Sequence, residues 1–233
     1  MIYALITARG GSKGIKNKNL KKIGKLSLLE KTCRNIKNSN LFDKIFCSSD
    51  SLKILNISKK NKIFPIRRPN NISMDKSNSI LAVYHFHNFL TKKKIELPEI
   101  VFLFQPTSPF IKVETINKMI KLYSKYPKTS SVISVYKVNN KYNYINQRTL
   151  NKKNEVKFLF ETQRDKMVRR QDKPDVYVHG NLFSFKINQV LKQKKITPKP
   201  LKAVKLSSFY EAVDIDNYED LEFAKIIEKH ITL

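Results

Sequence analysis

The chain has 233 residues, 41% of them hydrophobic, enough for one α/β domain with a packed core and too many for a disordered chain. Its formal charge is +27, from 46 Lys and Arg against 19 Asp and Glu, but the cations are spread along the whole length, which argues against a specific nucleic-acid binder and leaves a general attraction for anions. No apolar run approaches the ~20 residues of a membrane span, the first residues lack a signal peptide's basic region, and Cys33 and Cys47 read as buried free thiols of a reducing, cytoplasmic compartment.

Ile2–Thr7 is a short apolar run that ends in a glycine loop and reads as a buried central strand. Leu28, Leu29, Thr32, Cys33 and Ile36 recur at helical spacing and predict an amphipathic helix ending near residues 38–40. Residues 44–48 form a second strand that runs into the polar turn Ser48-Ser49-Asp50-Ser51. A helix over 51–60 and a third strand over 62–66 follow. Ile80, Leu81, Tyr84, Phe86 and Leu90 give residues 79–91 a wide apolar helical face. Residues 99–104 are the clearest buried strand, 113–126 are again helical, and 131–138 alternate as a strand.

Residues 139–173, rich in Asn and Lys, break this rhythm. Roughly 35 such residues exceed an ordinary connection, so they are read as an inserted arm, either a lid or a dimer contact. Strands over 176–185 and 201–206 and a helix over 217–231 close the chain. Repeated strand–helix units predict an α/β fold, a mainly parallel sheet flanked by helices on both faces, in one domain over residues 1–233.

In such sheets ligands bind beyond the carboxyl ends of the strands, and the polar clusters fall there: residues 9–19, 48–51, 105–108 and 214–216. In the first cluster Gly10, Gly11 and Gly14 are expected to adopt positive φ and let backbone approach a ligand. N–H groups of such a turn converge on anions, and Arg9, Lys13 and Lys18 add full charges. The loop is not a Walker A motif, because Lys13 precedes Gly14, and its glycine spacing does not fit a dinucleotide fingerprint. Taken alone, a flexible basic surface turn stands beside the phosphate-loop reading. Gln105-Pro106-Thr107-Ser108-Pro109 by itself reads as a rigid helix-entry turn. Asp214 and Asp216, two apart on an extended segment, project to one face and suit Mg²⁺ shared with substrate phosphates. The competing reading makes Asp216 the N-cap of the last helix, with Glu219 completing a capping box. Arg169 and Arg170 add a second basic point after the arm. His85 and His87 have no clustered partners and read as structural, and neither a Ser-His-Asp arrangement nor zinc spacing is present.

Together these residues resemble the CMP-N-acetylneuraminate synthetase family, the cytidylyltransferases that activate nonulosonic (sialic-type) acids. The resemblance rests on Ala8-Arg9-Gly10-Gly11-Ser12-Lys13-Gly14-Ile15 with Lys18-Asn19-Leu20, on Ser48-Ser49-Asp50, and on Arg68-Pro69 with Asp75 and Ser79. Further along it rests on Gln105-Pro106-Thr107-Ser108-Pro109, on Arg169-Arg170-Gln171-Asp172-Lys173-Pro174 with Val176-Tyr177-Val178, and on Val213-Asp214-Ile215-Asp216. It covers nearly the full length and implies a Rossmann-like nucleotide-diphospho-sugar transferase fold whose inserted arm makes a homodimer. The implied reaction joins CTP and a nine-carbon acid, the anomeric hydroxyl attacking the α-phosphorus as pyrophosphate leaves. By the same resemblance Arg9, Lys18 and Asp216 are catalytic. Arg9, Gly10, Gly11, Ser12, Lys13, Lys18, Asn19, Arg68 and Ser79 bind the nucleotide. Gln105, Arg170 and Tyr177 line the sugar site, and Asp214 and Asp216 hold Mg²⁺.

Two departures accompany it. The family usually has proline at positions 7 and 16, where Thr7 and Lys16 stand. His179-Gly180-Asn181-Leu182-Phe183 replaces the stretch typical of N-acetylneuraminate users, which leaves neuraminic, legionaminic and pseudaminic acids open. A nucleotidyltransferase for another sugar acid or sugar phosphate is the nearest alternative, and a nucleic-acid binder is the alternative from another class.

Overall fold

The computed structural model describes residues 1–12, 14–73 and 78–230. In chain order the elements are β1 (Ile2–Thr7), a short hairpin of β2 (Lys22–Ile23) and β3 (Leu26–Ser27), α1 (Leu28–Ser39), β4 (Lys44–Ser49), α2 (Leu52–Lys60), β5 (Phe64–Arg67), α3 (Ser79–Lys92), β6 (Ile100–Phe104), α4 (Val113–Lys125), β7 (Ser131–Lys137), β8 (Arg148–Leu150), β9 (Val156–Phe158), α5 (Glu161–Lys166), β10 (Tyr177–Lys186), α6 (Ile187–Gln193), β11 (Leu201–Lys205) and α7 (Tyr218–His230).

Among the described residues seven strands form the central sheet, in the order β11-β7-β10-β6-β1-β4-β5. All neighbours pair in parallel except β10, which is antiparallel to both β6 and β7. The strand period of two splits each apolar run between two cores. Ala4 and Ile6 of β1 and Phe102 and Phe104 of β6 face one core, filled by Leu29, Cys33 and Ile36 of α1 and by Ile116 and Met119 of α4. Tyr3, Leu5, Val101 and Leu103 face the other, where Val83, Phe86 and Leu90 of α3 and Val190 of α6 pack. Burial on both faces is why these strands read as continuous apolar runs rather than alternating ones.

Local signals set the boundaries. Ser27 accepts from the Glu30 amide while Glu30 accepts from the Ser27 amide at 2.8 Å, a reciprocal cap that starts α1. A third core joins Ile15 of the glycine loop, Leu28 of α1, Val213, Ile215 and the inner face of α7 through Leu221, Ala224 and Ile227. Three elements differ from the sequence expectation. The strand expected to end at residue 185 is followed at once by α6, β2 and β3 form a small hairpin before α1, and the inserted segment has structure of its own. Ile231, expected at the end of the last helix, lies outside the described residues.

The inserted segment leaves the sheet after β7 and returns where Val138 donates to the Val176 carbonyl. It carries a two-stranded ribbon, β8 with β9, and the short helix α5. Leu150, Val156, Leu159 and Val168 are exposed on it, while Ile145 near its start is buried. Cys33 and Cys47 are buried and unbridged. Burial pushes the Cys47 thiol up to about 11, and the Cys33 thiol is raised further, also chiefly by burial.

Candidate active site

At the carboxyl edge of the sheet a cavity of about 300 Å³ collects residues from elements far apart in the chain. Thr7, Arg9, Ser12, Lys18 and Asn19 come from the end of β1 and the glycine loop. Arg68, Ser73 and Ser79 come from the region between β5 and α3, Gln105 and Thr107 from the turn after β6, and Asp214 and Asp216 from the segment before α7. Because β10 is antiparallel to its neighbours, its first residues, Tyr177 to His179, lie at this same edge beside the end of β7.

The described residues of the glycine loop are anchored at two points. Ile15 is fully buried in the third core, and Asn19 donates from Nδ2 to the Arg9 carbonyl at 2.9 Å, closing the loop across its mouth. Positive φ is not what its glycines supply: among the chain's glycines only Gly24 has it, at 64°, and Asn17 takes the left-handed turn in the loop. The glycines serve close approach instead. A Cβ on Gly14 would collide with the backbone carbonyl oxygen of Asp216, and one on Gly10 would lie 2.9 Å from Ser51 Cβ. Gly11 has nothing within 4 Å of its missing Cβ. Gly10 also spends its N–H on Asp50 Oδ1 at 2.8 Å, so it is not a donor to phosphate.

The carboxylate segment meets this loop directly. Ile215 points into the third core while Asp214 and Asp216 both turn to the cavity, as the strand alternation requires. Its backbone is tied to the opposite wall, where the Ile215 amide donates to the Thr107 carbonyl at 3.0 Å. Lys18 Nζ lies 2.7 Å from Asp216 Oδ1, with the lysine side chain 12% exposed and the aspartate 75%. The capping expectation for Asp216 fails by one position. The Asn217 amide donates to Asp220 Oδ2 at 3.0 Å and the Asp220 amide to Asn217 Oδ1 at 2.9 Å, so Asn217 and Asp220 form the box. Asp216 is thereby left to the cavity. Asp214 Oδ1 is buried with no hydrogen-bond partner among the described residues, an acceptor that a cation or donor would satisfy. Those residues hold no cluster of three or more His, Cys, Asp and Glu. A cation here would draw on these two carboxylates and on ligand oxygens.

Arg68 is the buried cation of the site, 6% exposed. Its Nε donates to Ser73 Oγ at 2.9 Å and its amide to the Ser49 carbonyl at 2.8 Å. Burial lowers its pKa, Asp50 opposes that shift, and Arg9 adds to it.

Not every expected residue reaches the cavity. Arg170 lies instead in a separate depression at the base of the arm, with Asn140, Gln171, Lys173 and Asp175. Tyr177 pairs with Lys137 in register, and the Lys205 ammonium stands 5.0 Å over its ring. Gly10 and Gly11 shape the loop without lining the cavity. Lys13 and Asp75 lie outside the described residues. The stretch 179–183 is a β-bulge against β7, with Asn181 at φ 67°. A Cβ on Gly180 would meet Ser134 Oγ and Leu206 Cδ1 at 2.7 Å. The bulge sets His179 against Phe183, ring centroids 4.0 Å apart and planes tilted by 37°. Partial burial lowers the pKa of His179, and the nearby Asp214 carboxylate opposes that shift. Thr7, Ser73 and Thr107 are lining residues that sequence reasoning had not assigned to ligand. Thr7 and Thr107 did carry a signal, since they end a strand and sit in a polar turn at the ligand edge.

Comparison with known proteins agrees with this geometry. A pseudaminic acid cytidylyltransferase of Campylobacter jejuni is 29% identical over 226 residues, covering 97% of this chain and 95% of the relative. A CMP-N,N'-diacetyllegionaminic acid synthase of Legionella pneumophila is 28% identical over 216 residues, covering 92% and 90%. Among solved structures, a CMP:2-keto-3-deoxy-manno-octonic acid synthetase complexed with CTP superposes with a TM-score of 0.71 over 98% of each chain at 11% identity, a likeness of fold. The family model described as cytidylyltransferase matches residues 3–232, glycine loop and carboxylate segment included, and the chain belongs to that family.

Proposed function

We propose that the protein transfers CMP from CTP to the anomeric hydroxyl of a nonulosonic acid, with pseudaminic acid the first candidate, and releases pyrophosphate. The observation that carries this reading is the meeting of Arg9, Lys18, Asp214 and Asp216 around one cavity at the ligand edge of the sheet. The full-length similarity to enzymes for pseudaminic and diacetyllegionaminic acids supports the sugar class. So does the bulge at residues 179–183, which puts the His179–Phe183 ring contact where the sequence departs from N-acetylneuraminate users.

The residues divide the work as charge and position suggest. Arg9 and Lys18 hold the triphosphate, with Lys13 adding charge from the same loop. Asn19, Arg68 and Ser79 seat the nucleoside, and Gln105 faces the incoming acid. Holding the hydroxyl in line behind the α-phosphorus supplies much of the rate, because the transfer needs little covalent help from protein groups. Asp214 and Asp216 would hold Mg²⁺, and the partnerless Asp214 Oδ1 fits that role; the ion would neutralise charge on the phosphates. The arm's exposed Leu150, Val156, Leu159 and Val168 support a homodimer made through it, which is also how Arg170 would reach a sugar site. We place the enzyme in the cytoplasm, where CTP is; among the described residues no helix is long and apolar enough to cross a membrane.

The test offers CTP, UTP, ATP and GTP with Mg²⁺ against a panel of nine- and eight-carbon 2-keto-3-deoxy acids and follows pyrophosphate. Release with CTP and pseudaminic acid is expected, and none above background with any nonulosonic acid would overturn the reading. Salt-sensitive binding to arbitrary DNA or RNA without turnover would favour the nucleic-acid alternative.

A further inference from the structure

Asp50 does not line the cavity, yet two of the segments that do, the glycine loop and the stretch after β5, interact with it. It stands one residue past the end of β4. Its Oδ1 accepts the Gly10 amide at 2.8 Å. Its carboxylate is also the leading acid acting on the buried Arg68 guanidinium, on which Arg9 acts in the opposite sense. The turn itself is held rigid: the Ser51 amide donates to Ser49 Oγ at 3.0 Å and the Ala8 amide to the Ser48 carbonyl at 3.1 Å. The missing Cβ of Gly10 is what lets the loop come this close, since an added one would lie 2.9 Å from Ser51 Cβ and 3.6 Å from Asp50 Oδ2.

We propose that Asp50 is a positioning residue for the nucleotide: by holding the Gly10 amide it fixes the Arg9–Gly10 peptide, and so aims the Arg9 guanidinium into the cavity beside Arg68 before CTP arrives. Two like charges at one cavity repel each other in the free protein. Holding the peptide that carries one of them limits how far they part, without occupying the ligand's place. Preorganisation of this kind shows in binding, because a ligand need not order the loop as it enters.

This inference needs the chain to bind CTP, as its family does, and is independent of which acid is activated. The experiment is calorimetric titration of the full-length protein with CTP and Mg²⁺, which requires no sugar acid, alongside thermal melts. Asp50→Asn keeps an oxygen for the Gly10 amide and should bind CTP within about threefold of wild type. Asp50→Ala removes it and should bind about tenfold or more weakly, measured well below its Tm. If Asp50→Ala does not fold, Asp50→Ser, whose hydroxyl falls short of the amide, takes its place with the same expectation. A purely electrostatic role makes the opposite prediction, since losing a negative charge beside an anion site should tighten CTP in both variants. Tighter binding in both, a fall in Tm with CTP affinity unchanged in the alanine variant, or equal weakening in Asn and Ala would each overturn the assignment.

Discussion

Gly14 separates a flexible loop from a loop that works by close approach. A Cβ at this position would sit well under 3.0 Å from the Asp216 carbonyl oxygen and 3.4 Å from its carbonyl carbon. Both contacts are backbone, so no side chain can swing away. Relief therefore requires the loop and the 214–216 segment to part by something on the order of 1 Å, and a shift of that size between reacting groups costs on the order of 10²-fold in rate. Overpacking of this kind also costs about 1–3 kcal/mol of stability. The Lys18–Asp216 pair at 2.7 Å spans the same seam and would stretch with it. The control lies three residues earlier: Gly11 has open space at its Cβ position and does not use positive φ. Gly14→Ala should lose about a hundredfold in kcat/KM for CTP, read as pyrophosphate release, while Gly11→Ala stays within a few-fold. If the loop acted through flexibility, the two alanines would be equally damaging. Equal losses, or a Gly14→Ala enzyme with wild-type kcat/KM and Tm, would refute the close-approach argument.

Asp216→Asn should abolish turnover at any Mg²⁺ concentration while leaving Tm near wild type, because Asn217 and Asp220 cap α7 without it; a variant with wild-type rates at limiting Mg²⁺ would remove Asp216 from the metal role. Glu228 accepts from the buried Lys31 at 2.6 Å, so Glu228→Gln leaves that ammonium uncompensated. A loss of about 2 kcal/mol is expected, below the full range for buried pairs because Glu228 is partly exposed. In a chain of this size that is a Tm drop of about 4–8 °C in a thermal melt. His85 has a buried Nδ1 without a partner among the described residues, and burial first, then Arg68, lowers its pKa from the ordinary 6.5. Its neutral form favours the fold above that ordinary value, and the contribution is lost as pH falls below it. Melts between pH 7.5 and 5 should therefore fall less steeply for His85→Gln than for wild type, and parallel slopes would contradict this.

The sheet was legible because burial on both faces leaves its strands as unbroken apolar runs, and the helices because their faces repeat at the helical period. What stayed hidden depended on partners distant in sequence. The direction of β10 leaves no local mark, since a buried strand reads alike in either sense. Asp216 looked like a cap because Glu219 stood three residues on. The actual box begins one residue later, at Asn217, and only the backbone path after Ile215 decides between the two registers. The glycine loop was recognisable as special, but for a reason its composition did not reveal. Gly14 is a glycine because of a carbonyl about two hundred residues away, and Gly10 because of the turn after β4. Arg170 has the motif of a site residue and lies apart from the cavity, as a residue on an arm would if its site belonged to another copy of the chain.

The pairing of Lys18 with Asp216 also bears on the order of binding. Each charge of the pair faces the other at 2.7 Å. A triphosphate arriving alone would have to compete with the carboxylate for the lysine, and would meet the carboxylate charge in the same cavity. A divalent cation arriving alone would have to draw Asp216 from the lysine. Arriving together they would exchange partners, phosphate taking Lys18 and the cation taking Asp216, so neither charge would be left without an opposite one. On the proposed metal role, the Lys18–Asp216 pair thus favours CTP and its cation binding as one ligand. CTP affinity should rise with Mg²⁺ more steeply in the wild type than in Asp216→Asn, where the lysine is already released. Equal Mg²⁺ dependence in the two proteins would break this coupling.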